Sequence, residues 1–594
     1  MSSRTALTTT ARRLPGLLAP TRRTSPALFR QQTLGSRSKS STTSHEQPKP
    51  DPQPQRSSST APLAFVVGCA FSGAAAYFYA TSQADGVSAT AAGADLNSKY
   101  GSPEDFNKAI EELKGLFPGD ETVTTDPISL EEHGMSVNDY HEASNPSVVV
   151  FPGSTEDVVK IVKVSSKYKM PVIPVSGATS LEGHYRAPSV GGICVDMSRM
   201  DRIIEIHEAD SDVVCQPGIR WMDLNETLKK KGNHSVVLPC KANPTTIIKF
   251  VLTCSQLDPA PGATIGGMLS TGCSGTNAVR YGTAKAEWFL NATVVLPSGE
   301  VIKTRSRAHK SSAGFDATKL FIGAEGTLGI VTEVTVRLAP LLPTNVAVVQ
   351  FPDVRKATEA VIEILNSGVG IQCVELVDDN FMRATNIHGL STRKWPEQDS
   401  LFFKFQGPTA RSLQESADIV KKITAKHGAT GFQSARNEKE AADLWTDRKN
   451  GFYSSLAILP GAKGWSTDVC VPPSRLPDLV YATKEDLAKH GIMSTIVGHV
   501  GDGNFHSLLL FRNDEELEKA RGAVGRMVHR AIALGGTCTG EHGVGMGKRE
   551  YLVEELGEGT VEFMKTIKKA IDPHNLFNPG KASAHLSLRV RALC

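Results

Sequence analysis

The amino-acid sequence predicts an α+β protein made of two folded domains, with a transmembrane helix on their N-terminal side. Short apolar strands alternate with amphipathic helices from residue 146 onward, glycine-rich stretches follow several of these strands, and an uncharged apolar stretch lies near the N-terminus. The chain has 594 residues, of which 40% are apolar. At roughly 100–200 residues per domain, this length allows about three or four structural units and a large buried core.

Composition excludes several functional classes. The 65 basic and 62 acidic residues leave a net charge of only +3, so the overall electrostatic field does not favour nucleic acid. No nucleic acid is therefore expected as a partner. The ten cysteines are scattered and include no C-x-x-C pair. This spacing argues against a zinc ribbon, a thioredoxin-like redox motif and a disulfide framework.

Residues 1–45 have the composition of a mitochondrial transit peptide. Glu46 is the first acidic residue, and the basic residues that precede it are Arg4, Arg12, Arg13, Arg22, Arg23, Arg30, Arg37 and Lys39. Serine, threonine, leucine and alanine fill the intervals. Such a segment can form a basic amphipathic helix that is removed after import. The alternative is a disordered basic tail.

A transmembrane helix is predicted over residues 61–80, between linkers at residues 46–60 and 81–101. The segment contains no charged residue, and about 20 residues at 1.5 Å per residue can cross the hydrocarbon layer of a bilayer. Its alanine and glycine content makes it only moderately hydrophobic, so a buried helix is the alternative. Because the basic side should stay in the mitochondrial matrix, we expect an inner-membrane protein whose folded body faces the intermembrane space.

The folded body starts with a helical lead-in at residues 102–145, where apolar residues recur at helical spacing. The first domain is predicted at residues 146–340, with strands near residues 147–151, 170–174, 192–195, 213–215 and 292–296. Ser154 is expected to cap the helix that follows the first strand. The second domain is predicted at residues 345–581 and mixes strands (401–405, 493–497) with helices (413–427, 514–534). Residues 582–594 form a tail.

Three glycine-rich segments of the first domain indicate a site for an anionic ligand. Residues 174–183 read PVSGATSLEG, residues 261–277 read PGATIGGMLSTGCSGTN, and residues 320–332 read LFIGAEGTLGIVT. Small residues let backbone N–H groups approach a phosphate, and serine and threonine hydroxyls add donors. The sequence contains no G-x-G-x-x-G motif, so a Rossmann dinucleotide site has no support.

These three segments, in this order, resemble the FAD-binding domain of the vanillyl-alcohol oxidase family. The resemblance implies a two-subdomain, PCMH-type FAD-binding domain in which the first segment holds the pyrophosphate and the other two line the adenosine and isoalloxazine parts. The pyrophosphate residues would be Ser176, Gly177, Ala178, Thr179 and Ser180. The residues that contact the rest of FAD would be Thr264, Gly267, Thr271, Ser274 and Ile330. Nothing in the sequence identifies a covalent flavin linkage, so His184 is interpreted as a surface loop residue and FAD is predicted to be non-covalent.

Residues 498–506 of the second domain, GHVGDGNFH, predict a metal site. The Asp502-Gly503 pair signals a two-residue hairpin turn, which would place His499 directly opposite His506. Opposed residues share a face, with Cβ atoms roughly 4.5–5.5 Å apart, near enough for both imidazoles to bind one ion. Two histidines within nine residues could also be a coincidence.

Residues 535–545, GGTCTGEHGVG, add a carboxylate beside an imidazole. Glu541 would complete a His–His–carboxylate set with open coordination positions, which is typical of a catalytic metal site. His542 would then be free to act as a base. We expect a divalent metal here, zinc in the first place, with manganese and iron as alternatives.

Both segments resemble the C-terminal domain of the FAD-linked D-2-hydroxy-acid dehydrogenases, which act on D-lactate, D-2-hydroxyglutarate or glycolate. The resemblance spans residues 146–581 and implies an α+β substrate domain of the FAD-linked oxidase type. It also implies that the metal lowers the pKa of the substrate hydroxyl and that His542 removes its proton while the α-hydrogen leaves as hydride to FAD. Arg448 would bind the substrate carboxylate. The alternative interpretation of Arg448 is an exposed basic residue on a helix. Asn504 is expected to support the metal or the flavin.

D-lactate is the expected substrate, because residues 464–468 (GWSTD) lack the extra cation that a second substrate carboxylate needs. Cytochrome c is the expected electron acceptor, since there is no nicotinamide motif and the body should face the intermembrane space. A D-2-hydroxyglutarate or other D-2-hydroxy-acid dehydrogenase is the alternative in the same class. Alkyl-dihydroxyacetone-phosphate synthase, a transferase, shares the flavin loops and is a further alternative, but the transit-peptide composition and the predicted transmembrane helix count against it. The alternative from another class is a catalytically inactive membrane-anchored assembly factor.

Residues 233–256 are predicted not to belong to the native fold. In the family the chain passes almost directly from a Lys-Gly turn to a short apolar strand, whereas here an extra run intervenes. A retained intron could supply these residues, and also the tail after Lys581.

Overall fold

A computed structural model describes residues 99–119, 121–136, 139–231, 249–252 (backbone only) and 262–582. The predicted transit peptide, the transmembrane helix and nearly all of both linkers lie outside these residues, as does the tail after residue 582. No helix among the described residues is long and apolar enough to span a membrane.

The first sheet has four strands and carries the first glycine-rich segment. Its strands are β1 (Val123–Thr124), β2 (Val148–Val150), β3 (Val172–Val175) and β4 (Ile193–Asp196). They lie in the order β1-β2-β4-β3, with β4 parallel to both neighbours and β1 antiparallel to β2. The accompanying helices are α1 (Pro103–Leu116), α2 (Pro127–Glu132) and α3 (Thr155–Tyr168). Ser154 caps α3 as predicted, because its Oγ accepts the Asp157 N–H at 3.2 Å.

The second sheet is antiparallel, and the third glycine-rich segment leads into its central strand. Its strands are β5 (Ile203–His207), β6 (Asp212–Cys215), β7 (Lys249–Leu252), β8 (Phe289–Val295), β9 (Val301–Lys303) and β10 (Ile330–Leu341). The order is β5-β6-β10-β8-β9, and β7 pairs with the last residues of β10. The helices are α4 (Trp221–Lys231), α5 (Ile265–Thr271), α6 (Ala278–Tyr281) and α7 (Ala317–Phe321). Residues 249–252 therefore add a strand to this sheet. The rest of the predicted insert lies outside the described residues.

The third sheet has eight strands. They are β11 (Thr344–Gln350), β12 (Ile371–Val377), β13 (Ser400–Gln406), β14 (Thr430–Ser434), β15 (Lys463–Ser466), β16 (Val469–Cys470), β17 (Ser494–Gly498) and β18 (Asn504–Phe511). The order is β14-β11-β13-β12-β17-β18-β15, with β16 also on β18. Its helices are α8 (Val354–Asn366), α9 (Asp379–His388), α10 (Ala410–Lys426), α11 (Glu438–Lys449), α12 (Gly451–Leu456), α13 (Leu476–Lys489), α14 (Asp514–Ala533), α15 (Leu552–Leu556) and α16 (Glu558–Ile571).

Both faces of the central part of the third sheet are buried, so β12, β13 and β18 are buried along almost their whole length, whereas the edge strand β14 is largely exposed. Alternate residues of a strand point to opposite faces, and the neighbours Phe402 and Phe403 belong to different core clusters. The Phe403 face packs against α8, α10, α13 and α14. The Phe402 face packs against Phe381 of α9 and Trp445 of α11.

Within the described residues, the strands and helices predicted from apolar patterns are present, with ends shifted by at most three residues. The chain then returns from α16 to the first sheet. Phe577 forms a parallel bridge with Val172, and the Asn578 N–H donates to the Val172 carbonyl at 2.7 Å. The Asn578 side chain also joins His184, beside the first glycine-rich segment, to Glu325 of the third, since its Nδ2 donates to their carbonyls at 2.9 Å and 2.7 Å.

Candidate active site

The β17–β18 hairpin carries both predicted histidine ligands, but its register differs from the prediction. Val497 pairs with His506, so His499 lies opposite Asn504, whose N–H donates to the His499 carbonyl at 3.3 Å. The prediction that the two histidines directly oppose each other is therefore wrong. The turn is longer than expected, since four residues, 500–503, lie between the bonded residues His499 and Asn504, and the Asp502 N–H bonds the His499 carbonyl at 3.0 Å. A shift of two residues, unlike a shift of one, keeps both histidines on the same face.

The two imidazoles point their Nε2 atoms at one carboxylate oxygen. Nε2 of His499 lies 3.1 Å from Glu541 Oε1, and Nε2 of His506 lies 3.0 Å from the same atom. On the far side of each ring Nδ1 is already engaged, at 2.9 Å in both cases, by the Glu375 carboxylate for His499 and by the Thr467 carbonyl for His506. A hydrogen-bonded Nδ1 orients the ring so that Nε2 is the nitrogen a metal would bind. Without a metal, burial alone would lower the pKa of His499, but the Glu375 and Glu541 carboxylates outweigh burial and raise it, so its Nε2 carries a proton that a bound cation would displace.

This donor set fits a divalent cation. The three ligand atoms lie within 4.8 Å of one another, and two imidazole nitrogens with one carboxylate oxygen suit zinc, manganese or iron and leave coordination positions open. Burial alone would raise the pKa of Glu541, but its contacts with His499 and His506 outweigh burial and hold this pKa below its usual range. Glu541 is therefore an ionised carboxylate facing two ring nitrogens.

His542 lies beside the three candidate ligands. Its ring stacks on His506 with the centroids 4.9 Å apart and the planes at 10°. Its Nδ1 is buried and has no hydrogen-bond partner among the described residues. Burial lowers the pKa of His542 to about 4, so the ring is neutral at neutral pH and can accept a proton. The role of base is compatible with this environment and stays a prediction.

Arg448, on α11, is buried rather than exposed, with 8% of its surface accessible. The exposed-cation alternative is therefore wrong. Its Nη2 donates to Glu375, the same carboxylate that engages His499. Glu375 is fully buried on β12 and was missed by sequence reasoning, because it lies 124 residues from His499 and in no recognisable motif. The predicted contact of Arg448 with substrate stays a prediction.

A second buried carboxylate missed by sequence reasoning is Asp468, which lies between β15 and β16. It accepts hydrogen bonds from the backbone of both Glu541 and His542. It also accepts a bond from Asn504 Nδ2 at 2.8 Å. Asn504 thus supports the loop that carries Glu541, while its predicted contact with flavin stays a prediction.

A cavity of about 580 Å³ lies where the first two glycine-rich segments meet. Ser176, Gly177 and Thr264, predicted above, line it together with Gly262. The Thr264 hydroxyl donates to the Ser176 hydroxyl at 2.7 Å and so joins the two segments. Gly177 is needed for this approach, because a Cβ there would lie 2.9 Å from the Gly262 carbonyl oxygen. Sequence reasoning missed the other polar residues of the lining, which are Ser198, Asp201, Arg220, Asp223 and Thr227.

The cavity has the volume of a ligand pocket, and its walls carry hydroxyls, small residues, one arginine and two aspartates. The hydroxyls and small residues where the two segments meet fit the phosphates of a large cofactor, whereas Asp201 and Asp223 would have to face its uncharged parts. Ala178 continues the first segment in the left-handed region at φ 51°, and the buried Ser180 Oγ has no hydrogen-bond partner among the described residues. Thr264 caps α5 through the Gly267 N–H. The Ile330 side chain lies in the core beneath the first sheet, so only its backbone is available to a ligand. The predicted contacts of Thr179, Thr271 and Ser274 with FAD stay predictions.

The glycine-rich segments also touch the loop that carries His542. The Glu325 carboxylate, in the third segment, accepts the N–H groups of Val544 at 2.7 Å and Gly545 at 2.9 Å. Nε2 of His184 lies 3.2 Å from the same carboxylate. His184 is 7% exposed, so its interpretation as a surface residue is wrong: it is a buried partner of Glu325. In the first segment, the Glu182 carbonyl accepts the Met546 N–H at 2.8 Å.

Comparisons with known proteins agree with these features. Two family models match, an FAD binding domain over residues 146–305 and the C-terminal domain of FAD linked oxidases over residues 343–582. The mitochondrial D-lactate dehydrogenase (cytochrome) of Arabidopsis thaliana is 42% identical over 80% of this chain and 79% of its own. The mitochondrial D-lactate dehydrogenase (cytochrome) 1 of Saccharomyces cerevisiae is 40% identical over 81% of this chain and 80% of its own. The solved structure of 4-ethylphenol oxidase from Gulosibacter chungangensis has the same fold, with a TM-score of 0.65 at 20% identity over 82% of this chain and 99% of that chain.

Proposed function

The chain belongs to the FAD-linked oxidases, and from this premise we propose that it oxidises D-lactate to pyruvate and passes the electrons to cytochrome c. It is an FAD-dependent oxidoreductase. The substrate and the acceptor are those named for its relatives.

One observation carries the proposal. The Nε2 atoms of His499 and His506 converge on Glu541, next to a neutral buried His542, and the loop that holds Glu541 and His542 is bonded to the glycine-rich segments. A site that removes a proton from a hydroxyl next to a flavin needs a base and cofactor loops, and cation ligands would add a metal that lowers the pKa of the hydroxyl. The inactive assembly factor would not need the ionised Glu541 at this place.

Each side chain has a proposed task. Bound FAD would supply the acceptor for the α-hydrogen, and a bound divalent cation would supply a Lewis acid for the hydroxyl oxygen. His542 would take the hydroxyl proton on a ring nitrogen, and its Nδ1 has no hydrogen-bond partner among the described residues. The guanidinium of Arg448 would bind the substrate carboxylate with the N–H groups that Glu375 does not use.

D-lactate is favoured over a dicarboxylic 2-hydroxy acid. Residues 464–468 contribute no cation, and Trp465 in this stretch is stacked on Tyr140 with ring centroids 3.8 Å apart. A second substrate carboxylate would therefore find no cation supplied by this stretch, and the nearby Lys548 is already paired with Asp468 and Glu182. An unpaired buried charge costs on the order of 3–5 kcal/mol.

The substrate experiment is anaerobic reduction of the purified flavoprotein, followed by the visible absorbance of the oxidised flavin. D-lactate should bleach it fastest, D-2-hydroxyglutarate and glycolate more slowly, and L-lactate should leave it oxidised. Bleaching by D-2-hydroxyglutarate with none by D-lactate would contradict the proposed substrate. An absorbance that no 2-hydroxy acid changes would favour the inactive assembly factor.

The acceptor is tested by mixing D-lactate-reduced protein with ferricytochrome c in a stopped-flow instrument. Two molecules of cytochrome c should be reduced for each reduced flavin. Slow reduction of the haem together with fast oxidation by quinone analogues would contradict cytochrome c as acceptor.

The metal is tested with ligand variants. His499→Ala and Glu541→Ala should lose the divalent metal in elemental analysis and retain FAD, because the glycine-rich segments belong to other sheets. His529→Ala removes a solvent-exposed histidine of the same domain and serves as the matched control. Full activity after chelation with no detectable metal would contradict the metal site.

We further propose that the protein lies in the mitochondrial inner membrane, held by the helix predicted at residues 61–80, with its folded body in the intermembrane space. The mitochondrial relatives and the transit-peptide composition of residues 1–45 support this location. Carbonate should fail to extract the protein from mitochondria. Full-length protein recovered in the soluble matrix fraction would contradict the anchor.

A further inference from the structure

Asp468 combines complete burial with an unusual number of hydrogen-bond donors directed at one carboxylate. Only 1% of its surface is accessible, and it lies in the short connection between β15 and β16, beside the strand that carries His506. We propose that Asp468 is a positioning residue, which fixes the backbone of the loop that presents Glu541 and His542. This inference rests on the proposed function of these two side chains.

One oxygen of Asp468 holds the loop itself. Oδ2 accepts the Thr539 hydroxyl at 2.7 Å, the Glu541 N–H at 2.9 Å and the His542 N–H at 2.9 Å. Two consecutive N–H groups on one oxygen fix the orientation of both peptide units, and with them the directions in which the Glu541 and His542 side chains leave the backbone.

The other oxygen of Asp468 ties the loop to the β17–β18 hairpin. Oδ1 accepts Asn504 Nδ2 at 2.8 Å and lies 3.7 Å from Nδ1 of His506. Asn504 and His506 lie two residues apart on β18. The Asp468 carboxylate thus holds the loop that carries Glu541 against β18, the strand that carries His506.

The Asp468 side chain is the acceptor in all four of its hydrogen bonds, so this position needs a group that accepts hydrogen bonds and donates none. An ionised carboxylate meets this demand, whereas an amide would place its NH₂ group against at least one donor. The buried negative charge is balanced by Lys548, whose Nζ lies 3.7 Å from Oδ2 and donates to the Asp468 carbonyl at 2.9 Å.

The loop fits closely against Asp468. A Cβ at Gly540 would lie 2.2 Å from Asn504 Nδ2 and 3.0 Å from Asp468 Oδ1. The residue before Glu541 must therefore be glycine, because any side chain would push the loop off the carboxylate. The placement of Glu541 Oε1 at 3.0 Å and 3.1 Å from the two Nε2 atoms depends on this fit.

The experiment compares Asp468→Asn with Asp399→Asn. Asp399 is also a buried carboxylate of the third-sheet domain, and it accepts the Asp379 N–H at 2.9 Å and Lys484 Nζ at 2.8 Å, away from the candidate site. Both substitutions keep the side-chain shape and remove one negative charge. Thr539→Val is a milder third variant, which removes a single donor from Oδ2 and remains informative if Asp468→Asn does not fold.

The first measurement is amide hydrogen exchange of the metal-free protein, which needs no turnover. Asp468→Asn should speed exchange at Glu541 and His542 by about tenfold or more, because the amide places its NH₂ group against a donor and so loosens the loop. Thr539→Val should speed it by less, because it removes only one of the bonds that hold the loop to Asp468. Asp399→Asn should leave exchange at Glu541 and His542 unchanged and speed exchange at Asp379. Wild-type exchange at Glu541 and His542 in both Asp468→Asn and Thr539→Val would overturn the proposal.

The second measurement is the affinity for Zn²⁺ alone, by competition with a chromogenic chelator. Asp468→Asn should weaken it by about 10–100-fold, the usual effect of removing an outer-shell partner of a ligand, with FAD content unchanged. Faster amide exchange with wild-type Zn²⁺ affinity would also overturn the proposal, since Asp468 would then be merely structural. If the wild-type protein oxidised no 2-hydroxy acid, the proposed function would fail while both measurements still decided the role of Asp468.

Discussion

His542 combines three features of a general base: a buried ring, a free Nδ1 and a stacked neighbour that is itself a candidate ligand. In His542→Ala, metal and FAD should both be retained, because neither is bound by this side chain. Flavin reduction by D-lactate should slow by about 10²–10⁴-fold, the usual contribution of a positioned base. Anaerobic stopped-flow absorbance measures the rate, with His529→Ala as control. Near-normal reduction in His542→Ala would remove it from the mechanism.

Glu375 joins Arg448 to His499 and so acts on the candidate metal through another residue. Glu375→Gln should weaken Zn²⁺ binding by about 10–100-fold, since His499 would lose the carboxylate that orients its ring. It should also lower the melting temperature, because Arg448 would keep a buried charge without a counter-charge. Glu440→Gln, which breaks the pair of a surface carboxylate with Arg393 and Arg436, should change neither Zn²⁺ affinity nor flavin content. Unchanged Zn²⁺ affinity in Glu375→Gln would show that His499 needs no such partner.

The candidate ligands and the base could be found from sequence because each pair lies close along the chain. His499 and His506 share one hairpin, and Glu541 and His542 are adjacent. The partners that orient them could not be found in this way. Glu375 lies 124 residues from His499, and Asp468 lies 73 residues from Glu541. Contacts at such separations depend on strand order, and single carboxylates carry no pattern of their own.

The β17–β18 hairpin shows what a local pattern can and cannot predict. The Asp-Gly pair correctly indicated a turn, and alternation correctly put both histidines on one face. The length of the turn was wrong by two residues, because the Asp502 and Gly503 N–H groups bond back to the carbonyls of His499 and Val500. Turn length depends on such bonds and on the packing of the turn against Val471, which the pattern does not contain.

Gly503 in this turn should be intolerant of any side chain. It has φ 80°, and a Cβ would lie 2.0 Å from the Val471 carbonyl oxygen. Gly461 has the same φ of 80° with open space around it, so Gly461→Ala isolates the cost of the left-handed backbone, about 1–2 kcal/mol. Gly503→Ala should destabilise the protein by at least about 1 kcal/mol more than this control, because the clash adds to the strain. Denaturant unfolding measures both, and equal losses would show that the turn relaxes freely.

The N-cap of α9 should make stability depend on pH. Asp378 accepts the Phe381 N–H at 2.9 Å and is buried, and burial raises its pKa to about 7. The unfolded value is about 3.9, so between these values the native state binds the extra proton. The stability from this group is fully present below about pH 4 and is lost as pH rises through 7, with a slope of up to about 1.4 kcal/mol per pH unit.

Asp378→Asn should remove this dependence, because asparagine caps a helix as well as aspartate and does not titrate. The melting temperature of the variant, relative to wild type, should therefore rise between pH 5 and pH 8. Thermal unfolding followed by circular dichroism over this range measures the difference. A constant difference would show that Asp378 is ionised throughout.

At the scale of the whole molecule, the sequence supported the order of strands and helices along the chain but not the order of strands within each sheet. β12 lies between β13 and β17, and β10 lies between β6 and β8. The short, buried strands could be recognised because alternating apolar and polar segments are local. Which strands pair depends on contacts between distant residues, and this pairing brings the glycine-rich segments against the His542 loop.

Glu325 makes that contact and should couple the two sites. Its backbone belongs to the third glycine-rich segment, and its carboxylate holds the N–H groups of Val544 and Gly545 close to His542. His184, which directly follows the first segment, completes the contact. Anything that orders the glycine-rich segments should therefore also order the loop that bears Glu541, and the reverse should hold.

We therefore expect Zn²⁺ to tighten FAD binding and FAD to tighten Zn²⁺ binding by the same factor, at least about fivefold, since coupling between two sites is reciprocal. Fluorescence titration of the apoprotein with FAD, with and without Zn²⁺, measures the factor. Glu325→Gln should bring it close to one, because an amide cannot accept all the N–H groups that the carboxylate accepts. Glu333→Gln on β10 loses only a contact with Thr293 and should keep the coupling of the wild type. An FAD affinity that ignores Zn²⁺ in the wild type, or a coupling that survives Glu325→Gln, would show that the two sites are independent.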